Sequence, residues 1–256
     1  MAALEIHQSP GLRVSCIYLA RDPASGAVAV VDPAEAKPVL AKAEDLGWRI
    51  THILNTHHHP DHVGGNLEIK QATGCTIVGP AADPERIPGM DIQVKDGETF
   101  NLGQAAAQVF FVPGHTRGHI AYWFKDSAAL FCGDTLFSIG CGRVNEAPMG
   151  VMWNSLLKLA ALPEDTAIYC GHEYTLANAK FALTIEPGNA RLIAHMKEVE
   201  ALRARGDWTL PTTLGLELAI NPFLRAEDPG VQAQLGMVGA AAADVFAEIR
   251  ERKNRF

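Results

Sequence analysis

The sequence has few cysteines and no arrangement of them that predicts a disulfide framework. The five cysteines are odd in number and widely spaced, and no Cys-X-X-Cys pair occurs among them. This pattern favours reduced thiols over the crosslinked cores of small secreted proteins. None of the five stands in a motif that would activate a thiolate, so we do not expect a cysteine nucleophile.

Long apolar runs and an excess of basic residues are also missing. No run approaches the ~20 apolar residues of a membrane-spanning helix, so no membrane partner is expected. The first residues lack the charged-then-apolar layout of a signal peptide, so a cytoplasmic location is expected. The formal net charge of −7 argues against a nucleic-acid partner, although a local basic patch can still hold a small anion. We expect a monomer.

What is present is an ordinary globular composition. At 256 residues, of which 48% are apolar, the chain can form one large domain or two. Short strands alternate with helical patterns up to about residue 173, beginning with a predicted hairpin of residues 12–20 and 27–32. Helical periodicity then dominates in residues 175–185, 190–205 and 229–252. The pattern predicts an α/β layered domain of residues 1–173, followed by a small helical domain of residues 174–256.

The most informative stretch follows an apolar run at residues 50–54, which predicts a buried strand. It reads Thr56-His57-His58-His59-Pro60-Asp61-His62. In an extended segment, residues two apart point the same way, so His57, His59 and Asp61 are predicted to converge while His62 faces a second, adjacent point. The alternative is a solvated loop rich in histidine. Four donors within six residues at a strand end favour a metal site.

Three further donors each follow an apolar strand and a glycine: His115, Asp134 and His172. The seven donors divide into two sets of three with one carboxylate left over: His57, His59 and His115; Asp61, His62 and His172; and Asp134. Because a carboxylate has two oxygens, Asp134 is expected to bridge two divalent ions. Nitrogen and oxygen ligands without thiolate suit zinc, which we expect, or iron or manganese. Such a pair of ions predicts hydrolysis of an activated acyl bond, and His58 and His119 are left with structural roles.

These donors stand in motifs that resemble those of the metallo-β-lactamase superfamily. The resemblance rests on Thr56 to His62, Gly114-His-Thr-Arg-Gly-His119, Cys132-Gly-Asp-Thr-Leu136 and Gly171-His-Glu-Tyr174. It implies an αββα sandwich with a dinuclear metal site at one edge. These motifs leave the substrate open.

Other segments resemble the glyoxalase II (hydroxyacylglutathione hydrolase) family, and this likeness covers nearly the whole chain. They are Gly140-Cys-Gly-Arg143, Gly171-His-Glu-Tyr-Thr175, Lys180-Phe-Ala182, Glu186-Pro-Gly-Asn189, Leu210-Pro-Thr-Thr213, Asn221-Pro-Phe-Leu-Arg225 and Arg250-Glu-Arg-Lys253. The resemblance implies that S-D-lactoylglutathione, or another S-2-hydroxyacylglutathione, is cleaved to the 2-hydroxy acid and glutathione, as in methylglyoxal detoxification. It also implies that four residues contact glutathione: Arg143, Tyr174, Arg250 and Lys253.

Two carboxylates receive catalytic roles in this interpretation. A hydroxide that bridges the two metals attacks the thioester carbonyl, Asp61 orients that hydroxide, and Asp134 holds both metals. The chain departs from the family pattern at two places that touch no ligand. Asn145 stands near the position of a usual aromatic residue, and Val14-Ser15-Cys16 replaces a usual Asp-Asn-Tyr.

Two other functions compete with hydrolysis. A sulfur dioxygenase of the same superfamily would bind one iron through His115, Asp134 and one histidine of the first motif, and would oxidise glutathione persulfide. The intact second set of ligands and the long helical C-terminal part favour hydrolysis over this alternative. A metal-binding or regulatory protein without catalysis is the third possibility, and the presence of all seven donors argues against it.

Overall fold

The computed structural model describes residues 3–10 and 14–256. The chain divides into two compact units. The first unit contains the described residues of Met1–Phe111 and Thr116–Gly133, and the second contains Val112–His115 and Asp134–Phe256. The domain boundary between residues 173 and 174 stays a prediction from the sequence pattern.

The first unit begins with an alternation of short strands and helices. Its elements in chain order are β1 (Glu5–Pro10), β2 (Cys16–Arg21), β3 (Val28–Val31), α1 (Ala36–Asp45), β4 (His52–Leu54), α2 (Pro60–Val63), α3 (Asn66–Thr73), β5 (Thr76–Pro80), β6 (Ile92–Val94), β7 (Thr99–Leu102), β8 (Ala105–Phe111), β9 (Ile120–Phe124) and β10 (Ala129–Gly133). The first predicted strand, residues 12–20, includes residues 12 and 13, which lie outside the described residues. Its described part, residues 14–20, overlaps β2, which begins at Cys16 and ends at Arg21.

One sheet of this unit has the strand order β1-β2-β3-β4-β5-β6. Strands β3 to β6 are parallel, with Leu54 of β4 opposite both Val31 and Val78. Helices α1 and α3 supply the crossovers that parallel strands need, and they pack on this sheet through a buried apolar cluster. The carboxyl ends of parallel strands meet at one edge, so Asp32 after β3 and the histidine stretch after β4 start from the same edge of the sheet.

A second sheet faces the first. Within this unit it contains β7-β8-β9-β10, and each neighbouring pair is antiparallel. The rings of Tyr18 on β2 and Phe131 on β10 lie 5.8 Å apart. The Tyr122 hydroxyl on β9 donates to the backbone oxygen of Asn55, at 3.1 Å. The inner faces of the two sheets therefore form one apolar core. At the edge that carries the histidines, the buried Tyr122 hydroxyl forms a hydrogen bond between the two sheets' segments.

The second unit is mainly helical. Its elements are β11 (Leu136–Phe137), β12 (Gly140–Cys141), α4 (Met149–Ala160), β13 (Ala167–Cys170), α5 (Thr175–Ile185), α6 (Ala190–Ala204), β14 (Thr212–Thr213), α7 (Leu214–Ile220), α8 (Pro229–Leu235) and α9 (Ala242–Arg255). Strands β11 and β12 form a small antiparallel hairpin. Trp153 of α4 packs against Phe246 of α9, with ring centroids 5.8 Å apart.

The helical periodicity of residues 229–252 corresponds to helix in most of this range, with an interruption that the pattern does not predict. Two helices occupy this region, α8 and α9, because the chain turns at Gly236 and Gly239, which have φ of 71° and 82°. This left-handed conformation suits glycine and ends a helix. The alanines beyond Gly239 have high helix propensity, but they begin a new helix only at Ala242.

All five cysteines are buried and none is in a disulfide bond. Burial raises the pKa of the Cys141 thiol to about 11, so this side chain stays protonated at neutral pH. Among the described residues, no helix combines the length and the apolar composition that crossing a membrane requires.

Candidate metal centre

The histidine stretch is a loop followed by one helical turn, and not an extended segment throughout. His59 precedes α2, and Pro60 stands at the first helical position, where its missing N–H costs nothing. Asp61 and His62 therefore lie on a helical turn, which corrects the expectation that His57, His59 and Asp61 alternate along one extended chain. Only His57 and His59 follow that geometry, and their ring nitrogens Nε2 and Nδ1 lie 3.1 Å apart.

Asp32 orients two of these histidines, and the sequence analysis missed it. Its buried carboxylate accepts hydrogen bonds from the Thr56 amide at 2.8 Å, from Thr56 Oγ1 at 2.6 Å and from His62 Nδ1 at 3.1 Å. Because Thr56 Oγ1 gives its proton to Asp32, it accepts from His57 Nδ1, at 3.0 Å. Both histidines thus carry a proton on Nδ1 and keep Nε2 for a metal. Asp32 directly follows an apolar strand, but without the glycine that precedes His115, Asp134 and His172, and this position does not report which residues its carboxylate contacts.

Replacing Asp32 by asparagine is expected to lower zinc affinity roughly 10- to 100-fold, because the amide would present N–H groups to donors that need an acceptor. Asparagine tolerates the positive φ of 49° at this position, so backbone strain does not explain the loss. Competition with a chelating dye measures the affinity. The matched control is Asp22→Asn, since Asp22 is also buried and holds a turn of the same unit through Ser25 and Gln104. Equal losses in both variants would contradict the assignment.

In the second unit, two histidines face one carboxylate oxygen. Asp134 Oδ2 lies 3.4 Å from His115 Nε2 and 3.3 Å from His172 Nε2, and all three side chains are buried. His115 Nδ1 donates to the backbone oxygen of Arg143 at 2.9 Å. Since a carbonyl only accepts, this bond fixes the proton on Nδ1 and leaves Nε2 for the site. Asp134 is thus the centre of the second unit's donors.

The other two histidines of the motifs have contacts of their own within the first unit. Arg86 Nη1 donates to His58 Nε2 at 2.9 Å, and His58 Nδ1 lies 3.5 Å from the buried carboxylate of Asp83. His119 stacks on His57, with ring centroids 4.6 Å apart and planes inclined by 20°. Both histidines therefore contact other side chains of the first unit, and their structural role stays a prediction.

The donors fit divalent metals. Every donor atom is an imidazole nitrogen or a carboxylate oxygen, which is the set that zinc, iron and manganese accept. Two nitrogens on one tetrahedral zinc ion at 2.0–2.1 Å lie about 3.3 Å from each other, close to the 3.1 Å between His57 Nε2 and His59 Nδ1. Asp134 Oδ2, approached by two histidines, suits a shared ligand. The His and Asp donors of this fold therefore fit a dinuclear metal site.

The four residues predicted to contact glutathione differ in exposure. Arg143 and Tyr174 are exposed, and the Tyr174 ring stacks on His172 with centroids 4.9 Å apart. Lys253 is partly buried, and its Nζ donates to the backbone oxygen of Ala177 at 3.0 Å. Burial, with a smaller contribution from the nearby positive charge of Arg250, lowers the pKa of Lys253 to about 8.

Arg250 differs from the other three residues, because its side chain is buried and makes its contacts within the protein. It is only 4% exposed, and its Nη1 donates to the backbone oxygen of Cys141 at 2.8 Å. The guanidinium also lies 5.1 Å from the centre of the Phe223 ring, a cation–π contact. A contact with glutathione stays a prediction for all four residues.

Comparison with known proteins assigns the family. The model of the metallo-beta-lactamase superfamily matches residues 10–172, and the model of the hydroxyacylglutathione hydrolase C-terminus matches residues 173–256. The chain is 58% identical over 253 residues to the hydroxyacylglutathione hydrolase of Methylococcus capsulatus, with 99% of each chain covered. It is 57% identical over 256 residues to that of Rhodospirillum rubrum, with 100% of each covered.

The fold is shared with solved structures at lower identity. The crystal structure of ETHE1 from Myxococcus xanthus superimposes with a TM-score of 0.68 at 24% identity, covering 98% of this chain and 91% of the other. At this identity the likeness concerns the fold alone. The predicted metallo-β-lactamase sandwich with a helical C-terminal part is confirmed. The chain belongs to the hydroxyacylglutathione hydrolase family of the metallo-β-lactamase superfamily.

Proposed function

We propose that this chain hydrolyses S-D-lactoylglutathione, and related S-2-hydroxyacylglutathiones, to the 2-hydroxy acid and glutathione. The observation that carries the proposal is the identity of 58% to a hydroxyacylglutathione hydrolase, which extends over 99% of both chains. This range includes the metal donors and the helical C-terminal part alike. A thioester is an activated acyl compound, and its hydrolysis suits a dinuclear site of nitrogen and oxygen ligands.

Seven residues would hold the metals. We assign one ion to His57, His59 and His115, a second ion to Asp61, His62 and His172, and a shared position to Asp134. When bound, the two divalent ions supply a hydroxide at neutral pH and polarise the thioester carbonyl. The side chain of Asp61 is 38% exposed, against 8% for Asp134, so Asp61 can also accept a hydrogen bond from the attacking water and orient it.

Glutathione itself is an anion and needs local cations on an acidic protein. The guanidinium of Arg143 and the ammonium of Lys253 can pair with its carboxylates, while the exposed ring of Tyr174 can cover its apolar parts. Lys253 lies over the rings of Phe181 and Phe256, at 5.0 and 5.1 Å from Nζ to each ring centre. These aromatic contacts restrict where its charge can lie.

Replacing Arg143 by alanine is expected to raise KM for S-D-lactoylglutathione about fivefold and to change kcat less than twofold. An exposed guanidinium–carboxylate contact contributes about 1 kcal/mol, and it is made equally in the ground state and the transition state. Steady-state kinetics at low and at moderate ionic strength measure the effect. Arg205→Ala is the control, since Arg205 is exposed and pairs only with Asp207 in the contacts described for its side chain. A drop in kcat at unchanged KM would contradict the binding role.

The proposed function is tested by hydrolysis of S-D-lactoylglutathione on a sample with measured metal content. Loss of thioester absorbance with release of D-lactate and about two metals per chain is the expected result. Two bound metals without turnover would refute this substrate but would not contradict the assignment of a dinuclear metal site. A single iron with oxygen consumption on glutathione persulfide would replace hydrolysis by the dioxygenase reaction. Zinc as the metal, the cytoplasmic location and the monomeric state stay predictions.

A further inference from the structure

The β11–β12 hairpin lies between Asp134 and Arg143 in the chain. Asp134 is one of the second unit's donors, and the backbone of Arg143 contacts another, His115. Directly after the hairpin, Gly142 N donates to the backbone oxygen of Thr135, at 3.3 Å. The next carbonyl, that of Arg143, accepts the proton of His115 Nδ1. A shift of the hairpin would therefore move the partner that orients His115.

The space around this segment leaves it little freedom to relax. A side chain at Gly142 would overlap the backbone oxygen of Asp134 and come within 3.2 Å of His115 Nδ1. The backbone of the hairpin end and the two donors are thus packed in direct contact. A displacement of the hairpin is transmitted to the donors because no gap can absorb it.

The turn of the hairpin is not stable by itself. Ile139 has a φ of 54°, a conformation that β-branched residues rarely adopt. The strands β11 and β12 are only two residues long each, so few hydrogen bonds form between them. Groups outside the hairpin must therefore hold the turn in this conformation.

A buried carboxylate, that of Glu217 on α7, holds the turn. Glu217 is 0% exposed, and its Oε2 accepts from the backbone N–H of Ile139, at 2.7 Å. The same oxygen accepts from Asn221 Nδ2 at 2.9 Å, and Oε1 accepts from Thr212 Oγ1 at 2.8 Å. A carboxylate in such a dry position is costly unless it is hydrogen-bonded, and here three donors converge on it.

Two asparagines complete the support. Asn221 Nδ2 lies 3.2 Å from the backbone oxygen of Phe137 and 3.0 Å from that of Gly140. Asn178 Nδ2 donates to the backbone oxygen of Ser138, at 3.0 Å. The two hydrogens of Asn221 Nδ2 are shared among three acceptors, Glu217 Oε2 and the carbonyl oxygens of Phe137 and Gly140. The backbone groups of residues 137–140 named above therefore all contact buried side chains from the helical part of the chain. This arrangement accounts for a turn that local sequence does not favour.

We propose that Glu217 is a positioning residue for the metal donors His115 and Asp134, acting through the β11–β12 hairpin. This inference rests on the ligand assignment of the proposed function. Glu217 touches no donor, and its effect passes through the turn to the carbonyl that holds His115 Nδ1. Glutamine preserves this role, because its amide oxygen can accept from Ile139 N while its amide nitrogen faces the Thr212 hydroxyl, which can accept.

The experiment compares metal binding by two variants of the full-length protein, Glu217→Ala and Glu217→Gln. Zinc affinity is measured by competition with a chelating dye, and the visible spectrum of the cobalt-loaded protein reports the ligand geometry. Glu217→Ala is expected to bind zinc at least tenfold more weakly and to change the cobalt spectrum. Glu217→Gln is expected to stay within twofold of the parent in affinity with the parent spectrum. Unchanged binding in the alanine variant, or an equal loss in both variants, would overturn the proposal.

Glu186→Ala is the matched control for general destabilisation. Glu186 follows α5 in the same unit, its side chain is only 10% exposed, and it pairs with Arg225 and not with a residue of the hairpin. Its zinc affinity is expected to equal the parent's, and a loss as large as that of Glu217→Ala would overturn the proposal.

If Glu217→Ala does not fold, a variant with a smaller change to the turn tests the proposal. Asn178→Ala removes one hydrogen bond to the turn and leaves Glu217 in place, and it is expected to weaken zinc binding several-fold. Unchanged zinc affinity in Asn178→Ala would overturn the proposal. Because zinc and cobalt are measured without substrate, a parent protein that binds metal but fails to hydrolyse S-D-lactoylglutathione refutes the proposed function and not this inference.

Discussion

Replacing Asp134 by alanine is expected to lower the rate of S-D-lactoylglutathione hydrolysis roughly 10³-fold or more, the equivalent of several kcal/mol of lost stabilisation at the metals. The same variant is expected to lose bound metal, because His115 and His172 both face Asp134 Oδ2 at 3.4 and 3.3 Å. Without the carboxylate, these two imidazoles would have no shared anionic partner. Metal content and turnover should therefore fall together.

Elemental analysis and thioester hydrolysis on the same purified sample measure both quantities. Asp207→Ala is the control, since Asp207 is an exposed carboxylate of the same unit that pairs with Arg205. It should keep both metals and the parent rate. An Asp134→Ala protein that is fully metallated and active would remove Asp134 from the ligand set.

Replacing Glu217 by glutamine is expected to stabilise the protein at pH 8 but hardly at pH 4. Burial raises the pKa of this carboxyl from 4.5 to about 7. Between these values the folded protein holds a proton that the unfolded chain has lost, so the parent's stability falls as pH rises from about 4.5 to about 7 and stays lower above it. Glutamine is neutral throughout. The variant's stability relative to the parent should therefore rise by about 2–3 kcal/mol between pH 5 and pH 8.

Urea unfolding of the parent and the variant, both freed of metal, measures this difference at several pH values. The metal ligands titrate alike in both proteins, so their contribution cancels. Glu251→Gln is the control, because Glu251 is exposed and its pairing with Arg255 is a surface contact. Its stability relative to the parent should change by less than about 0.5 kcal/mol. A difference for Glu217→Gln that does not depend on pH would show that this carboxyl does not titrate in the range.

Local patterns were sufficient where a segment's structure follows from its own residues. The helical periodicity predicts residues 175–185, and α5 has these bounds. The rule that an apolar strand followed by glycine presents a donor predicts Asp134 and His115, which the second unit brings together. Both inferences depend on interactions within a few residues, which is what a sequence pattern records.

Longer-range hydrogen bonds decided the features that the sequence analysis missed. Asp32 acts on Thr56 and His62, 24 and 30 residues away, so no local pattern reports its role. The two-residue strands β11 and β12 are too short for a period-2 signal, and they depend on Glu217 at a distance of 78 residues. The helical turn of α2 was not predicted, because the proline at its first position is compatible with a loop turn as well as with the start of a helix.

The hydrogen bonds that hold the hairpin can form only after the residues that make them have been synthesised. Asp134 and the hairpin leave the ribosome before Asn178, Glu217 and Arg250, whose bonds to the hairpin span 40, 78 and 109 residues. At about 5–20 residues per second, the last of these partners is made roughly 5–20 s after the carbonyl that it holds. A nascent chain therefore carries Asp134 and the hairpin well before the carboxylate of Glu217 and the guanidinium of Arg250, which bond to the hairpin. If Glu217 positions the metal donors as proposed, stable metal uptake by the second unit is expected only after α7 has been translated.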